Sequence, residues 1–202
     1  MRLIASVLLS LLLAQVANAG VKEALAAQAA GDYETAIAEF TKLAEAGDDK
    51  AMISIALLYH QGEGVPQDYS KAMDWYLKAF PSGNGDAYNN IGVMYRDGLG
   101  VPVNRPIAYA LFLITHMKGL GGEATQYRAG RNLDREAAEQ SKEDIRRALC
   151  YTEEYVKAYV LARGKIPSGV AETMPSARKT ALKDEDWWLE SERAGLAFEC
   201  PR

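Results

Sequence analysis

The chain is poor in the residues that build metal centres and catalytic sites, with only two histidines and two cysteines among its 202 residues. His60 and His116 each lack a second metal-type ligand four residues away, and no group of cysteine and histidine has the spacing of a zinc site. This scarcity predicts a protein without a bound metal, without a cofactor and without a catalytic residue.

Runs of positive charge are also absent. The formal net charge is −4, and no stretch of the chain concentrates lysine and arginine. Proteins that bind nucleic acid or anionic membranes through their surfaces carry such basic patches. We therefore expect no nucleic acid among the partners.

Long apolar stretches are missing except at the N-terminus, where residues 3–14 are interrupted only by two serines. This stretch is shorter than the ~20 apolar residues that a membrane-spanning helix needs. It is followed by Ala17-Asn18-Ala19, the small-x-small pattern that signal peptidase accepts. The sequence predicts a signal peptide over residues 1–19, cleavage after Ala19, and a periplasmic or secreted protein that no longer spans a membrane. An uncleaved anchor is the alternative.

The two cysteines, Cys150 and Cys200, both follow the predicted cleavage point. In an oxidising compartment an even pair of cysteines predicts a disulfide bond. Two free thiols are the alternative. Since no cysteine stands directly after the apolar stretch, a lipoprotein is not expected.

Several residues recur at a fixed step of 36 positions. The recurring sets are Ala36, Ala72 and Ala108; Asp32, Asp68 and Asn104; and Gly47, Gly83 and Gly119. The second and third copies match more densely, because Tyr59, Gly62, Gly64, Val65 and Pro66 return as Tyr95, Gly98, Gly100, Val101 and Pro102. A period between about 20 and 50 residues is the signature of stacked repeats that bury each other's apolar faces.

Each repeat is predicted to be a pair of helices. Ala51, Ile55 and Leu58 fall at i, i+4 and i+7, which is one face of a helix. A glycine at position 62 can end this helix, and Asp68 is placed to cap the next one. The second helices set small alanines against aromatic residues that we expect in the core, namely Phe40, Trp75, Tyr76, Phe80 and Phe112.

The stretch from Ala51 to Ala79 has the pattern Ala-x3-Ile-x3-Tyr-x2-Gly-x-Gly-Val-x2-Asp-x3-Ala-x2-Trp-Tyr-x2-Ala. It resembles the Sel1-like repeat (SLR), a relative of the tetratricopeptide repeat. The stretch from Ala87 to Phe112 is similar, but Asn104 replaces the usual Asp and Ala-Leu-Phe replaces the Trp-Tyr pair. The resemblance covers roughly residues 21–125. It implies an all-α, right-handed α–α superhelix. It also implies a non-enzymatic scaffold or regulator of the bacterial envelope, whose partner is another protein or a peptide.

The 36-residue sequence repeat ends after Gly119. We expect about two and a half repeats over residues 20–123, C-terminal capping helices over 124–164, and a tail over 165–202 with a short acidic helix around Trp187-Trp188. Ser141 is placed to cap the second of the capping helices. Two adjacent tryptophans cannot share one helix face. The tail therefore either docks on the cap or serves as a partner-binding motif.

A candidate binding surface follows from the resemblance. In tetratricopeptide-like arrays the first helix of each unit lines the inner, concave surface. The corresponding positions in the first helices of two repeats of this chain are ten residues. They are Lys50, Ile53, Leu57, His60, Gln61, Asp86, Asn89, Val93, Arg96 and Asp97. This mixture of charged, amide and apolar side chains is common in peptide-binding grooves. A plain solvated face is the alternative.

One enzyme motif is present. Ser176-Ala177-Arg178-Lys179 matches Ser-x-x-Lys, in which a lysine activates a serine nucleophile in penicillin-recognising enzymes. Some cysteine-rich SLR proteins have been described as penicillin-binding or β-lactamase-like, and a cell-wall hydrolase of that type is the alternative function. The partner motifs Ser-Asp-Asn and Lys-Thr-Gly are missing, and the repeats carry no cysteine pairs. The sequence therefore favours a protein that is not an enzyme.

Overall fold

The structure is a computed structural model that describes residues 20–150 together with residues 156 and 160. All regular elements in these residues are helices, as the sequence predicts. The signal-peptide region, the Ser-x-x-Lys motif, the tryptophan pair and Cys200 lie outside the described residues, so the disulfide stays a prediction. The chain divides into two compact units between Ala87 and Tyr88. The boundaries predicted at residues 123 and 164 remain predictions.

The first unit contains four α-helices and a short 3-10 helix, and a fifth helix crosses into the second unit. The helices are α1 (residues 20–29), α2 (Tyr33–Glu45), α3 (Asp49–Gln61) and α4 (Tyr69–Ala79), followed by the 3-10 helix Phe80–Ser82 and by α5 (Gly85–Asp97). The second unit continues with α6 (Arg105–Met117), α7 (Glu123–Glu139) and α8 (Lys142–Cys150). In the first unit α3 packs against α2 and α4, and in the second α6 packs against α7 and α8.

The helix caps predicted at Asp68 and Ser141 are confirmed, and further residues cap helices in the same way. Asp32, Asp68 and Asn104 each accept a hydrogen bond from the backbone N–H three residues later, at 3.2, 3.0 and 3.1 Å. Asp48 does the same for α3 at 3.0 Å. Ser141 caps α8 by accepting from the backbone N–H of residue 144 at 3.1 Å. These contacts satisfy N–H groups that a helix start leaves unpaired, and they fix where each helix begins.

The glycine-rich turn is the same in both repeats. The backbone N–H of Asp68 donates to the carbonyl of Tyr59 at 2.9 Å, and 36 residues later Asn104 donates to Tyr95 at 2.8 Å. Gly64 has φ +70° in this turn, a backbone conformation that favours glycine. The 36-residue sequence period is therefore a period in backbone hydrogen bonding.

Most of the predicted core aromatics are buried. Phe40, Tyr76, Phe80 and Phe112 are at most 2% exposed. Trp75 is instead half-buried, with the ammonium group of Lys78 3.5 Å from its ring centroid. The core of the first unit is a cluster of small and large apolar side chains from α1, α2 and α3. Its buried members are Ala24, Ala36, Phe40, Leu43, Ala44, Ala51, Ile55 and Leu58.

The second unit has a comparable contact on its own. A Cβ at Gly92 of α5 would lie 2.6 Å from the ring of Phe112 on α6, which shows how closely the helix backbone approaches that ring. Ile107, Ala108 and Leu111 of α6 are also fully buried. No helix among the described residues is long and apolar enough to span a membrane.

Replacing Gly64 by alanine should lower the free energy of unfolding by about 3 kcal/mol. Alanine at positive φ costs about 1 to 2 kcal/mol, and an overpacked contact adds about 1 to 3. The new Cβ would lie 2.0 Å from the Cβ of Tyr33, an atom held close to the backbone of α2. Chemical denaturation of the variant measures the loss.

Gly83→Ala is the matched control. Gly83 has φ +78°, but a Cβ there meets no atom within 4 Å, so only the backbone cost of about 1 kcal/mol applies. Equal losses in the two variants would show that the Tyr33 contact does not constrain this turn.

Candidate functional site

The five predicted residues of α3 differ in exposure. Lys50 and Gln61 are exposed, Leu57 and His60 are half-buried, and Ile53 is buried at 6% exposure. The ring of His60 lies edge-on to two tyrosine rings, with centroid distances of 5.3 and 6.4 Å. His60, one of the predicted binding residues, therefore packs against aromatic side chains of the same unit.

The five predicted residues of α5 range from buried to exposed. Asn89 is 3% exposed, whereas Asp97 is exposed. Asp86 and Val93 are half-buried, and the side chain of Arg96 is only 10% exposed. Asn89 and Arg96 therefore face the interior of the second unit, where other side chains of the chain contact them.

Arg96 makes hydrogen bonds in two directions. Its Nε and Nη2 donate to the two carboxylate oxygens of Asp97 at 2.7 and 2.6 Å. Its Nη1 donates to the side-chain oxygen of Asn132 on α7 at 3.1 Å. The hydrogen bonds with Arg96 hold the pKa of Asp97 below its usual value of 3.8, although partial burial opposes the shift. The carboxylate of Asp97 is therefore already paired with the guanidinium of Arg96.

Asn132 connects α7 to α5 a second time, because its amide nitrogen donates to the side-chain oxygen of Asn89 at 3.0 Å. Since that amide also accepts from Arg96, both of its polar atoms are used. Two predicted binding residues thus hold α7 in place within this unit.

A fully buried carboxylate lies beside this contact. The side chain of Glu136 on α7 is 0% exposed, and its oxygens lie 4.0 Å from Arg96 Nε and 4.0 Å from Arg105 Nη1. Gln140 donates to Glu136 Oε2 at 2.6 Å. Arg105 also donates to Glu139 at 2.9 Å, which raises the pKa of its guanidinium. Two guanidinium groups therefore lie near this buried carboxyl group, although neither donates a hydrogen bond to it.

A groove of about 590 Å³ opens between α5 and α7 within the second unit. Its lining residues are Asn89, Asn90 and Val93 on α5, with Tyr127, Arg128, Arg131, Asn132, Asp134 and Arg135 on α7. Tyr127 is 66% exposed, and the three arginines are exposed as well. Two of the ten predicted residues, Asn89 and Val93, belong to this groove.

The sequence analysis predicts no binding residue on α7, because it assigns residues 124–164 to capping helices. A signal was present, because Arg128, Arg131 and Arg135 follow the i, i+3, i+7 spacing of one helix face. The 36-residue sequence repeat does not indicate this arginine face, because the recurring residues end before α7. Among the described residues no group of three or more His, Cys, Asp and Glu side chains could hold a metal ion.

A family model for the Sel1 repeat matches residues 49–80 and 85–114. The chain contains two Sel1 repeats. The first matched segment contains α3 and α4, and the second contains α5 and most of α6. The turn hydrogen bonds that recur at 36 residues lie inside these two segments.

Two solved structures are similar to the chain, and no curated protein matches it. One is a protective antigen present in uropathogenic Escherichia coli strains that displays an SLR fold, with 18% identity, a TM-score of 0.58, and coverage of 92% of this chain and 35% of that one. The other is a Sel1 repeat protein from Oxalobacter formigenes, with 22% identity, a TM-score of 0.43, and coverage of 82% and 71%. The chain thus spans about a third of the antigen (35%) and has the same α–α solenoid fold.

Arg96→Met should lower the free energy of unfolding by about 3 kcal/mol, because it leaves the buried Glu136 with one arginine instead of two. Adding Glu136→Gln should recover part of the loss, since the uncompensated charge is removed. Denaturation of both single variants and the double variant measures the coupling.

Arg131→Met is the control, because Arg131 is exposed and a surface substitution there should change stability by less than about 0.5 kcal/mol. If Arg96→Met were as stable as this control, the buried network would not hold α7.

Proposed function

We propose that this Sel1 repeat protein is an exported interaction scaffold of the bacterial envelope, which binds a peptide segment of another protein in the α5–α7 groove. The observation that carries the proposal is the groove itself. It combines an exposed tyrosine and exposed arginines with amide side chains, and all of them stand on helices. Tyrosine and arginine are enriched among residues that dominate binding energy at protein interfaces.

The family supports an interaction role, because Sel1 repeat proteins are typically protein-interaction scaffolds. Rigid helices present the lining side chains, so a peptide can bind without first ordering the groove. Of the binding surface predicted from the first helices, this proposal keeps Asn89 and Val93 and adds the groove residues of α7.

Export is supported by the apolar stretch over residues 3–14 and by the small-x-small pattern that ends at Ala19. The protein isolated from the envelope should begin at Gly20 in N-terminal sequencing. Ala17→Arg should block processing because signal peptidase requires a small residue there, whereas Asn18→Gln should be processed normally. A full-length protein in the cytoplasm would contradict export.

Photocrosslinking inside cells tests the groove directly. A photoreactive phenylalanine analogue at Asn90 or Tyr127 should form an adduct with one partner protein, because both positions line the groove. The same analogue at Leu25, a 51% exposed position outside the lining residues, is the control. Adducts from Leu25 but from neither groove position would place binding elsewhere, and the absence of adducts at all three would argue against a scaffold.

A further inference from the structure

The groove has a charge opposite to that of the whole chain. Its lining includes three arginines and one aspartate, so the local formal charge is positive, while the chain as a whole carries −4. The arginines are concentrated on one face of one helix, as their spacing along α7 shows. A positively charged groove lining favours a negatively charged ligand.

Four arginines of the second unit form two contrasting pairs. Arg96 and Arg105 already have carboxylates of this chain within hydrogen-bond or ion-pair distance. Arg131 and Arg135 form no ion pair within 4 Å in the described part of the chain, and both are exposed. Because a guanidinium presents paired N–H groups that match a carboxylate, these two side chains suit carboxylates of a partner.

The spacing of the two arginines indicates the pattern that fits them. Arg131 and Arg135 are four residues apart, which is about 6 Å along a helix at 1.5 Å per residue. In an extended peptide, side chains two residues apart lie on the same side and about 6.6 Å from each other. An acidic residue, any residue and a second acidic residue would therefore place one carboxylate at each guanidinium.

The opposite wall can contact the peptide backbone. The Asn90 side chain on α5 is half-buried in the groove lining and makes no hydrogen bond to another described residue. An amide offers both a donor and an acceptor, which suits a peptide unit. Asn89 and Asn132 are already bonded to each other and serve as the floor.

From these observations we infer that the groove binds an extended acidic segment of a partner protein with an acid-x-acid pattern, held by Arg131 and Arg135. This inference rests on the proposed function and adds the chemical class of the partner. A nucleic acid fits less well, because its continuous backbone charge requires a longer basic surface than two arginines on an acidic chain provide.

Fluorescence anisotropy with labelled synthetic peptides tests the inference on the chain from residue 20 to 202. A peptide with Asp-Ser-Asp flanked by Gly and Ser should bind, whereas the same peptide with Asn-Ser-Asn should bind about tenfold more weakly or worse. Binding of the acidic peptide should weaken as salt is raised, since exposed charges are screened. Equal affinities for the two peptides would overturn the inference.

Arg131→Glu/Arg135→Glu should abolish binding of the acidic peptide and create binding of a Lys-Ser-Lys peptide. Lys22→Glu/Lys142→Glu changes the net charge by the same amount at exposed positions outside the groove lining, and it should bind like the parent chain. Loss of binding in this control, or no loss in the arginine variant, would overturn the inference.

Two further outcomes separate this inference from the proposed function. If groove crosslinks form but map to partner segments without acidic residues, the acidic class is wrong and the scaffold function stands. The chain has an acid-x-acid segment of its own at Asp184-Glu185-Asp186. If peptide binding appears only in Asp184→Asn/Asp186→Asn, the occupant is this chain's own segment, and the partner inference is overturned.

Discussion

The buried carboxylate of Glu136 is the constraint on which the second unit depends. A charge removed from water is costly unless opposite charges and hydrogen bonds compensate it. Here the nearby cations are Arg96 on α5 and Arg105 at the start of α6, each 4.0 Å away, and Gln140 after α7 donates a hydrogen bond to one carboxylate oxygen. All three helices must be in place for the carboxylate to be compensated, so this group ties the position of α7 to that of α5 and α6.

The same constraint orients the outer face of α7. Asn132 and Glu136 are four residues apart and both point towards the inner contacts. Arg131 and Arg135 each precede one of these residues, which turns them by about 100° around the helix axis. The groove arginines are therefore exposed, because their sequence neighbours face the inner contacts. The residues proposed to bind a partner and the residues that hold α7 in place are therefore adjacent in sequence but lie on different sides of the helix.

The repeat, its turns and its caps could be predicted from sequence because they depend on local chemistry. Asp68 and Asn104 cap helices through backbone groups three residues away, and Gly64 supplies a positive φ. The groove could not be predicted in the same way. Asn89 and Arg96 look like free polar residues in sequence, but their partner Asn132 lies 43 and 36 residues further along the chain. Only the packing of α7 brings these residues together.

The overall negative charge of the chain does not prevent recognition of an acidic segment. At physiological ionic strength the Debye length is about 8 Å, so charges well beyond that distance are largely screened. Arg128 and Arg135 are seven residues apart, which spans about 10.5 Å along the helix. The field over the groove is therefore set mainly by its own lining, which is positive. Under the inferred binding, Arg131 and Arg135 would select an acidic segment, whereas the distant acidic residues lie too far away to oppose it.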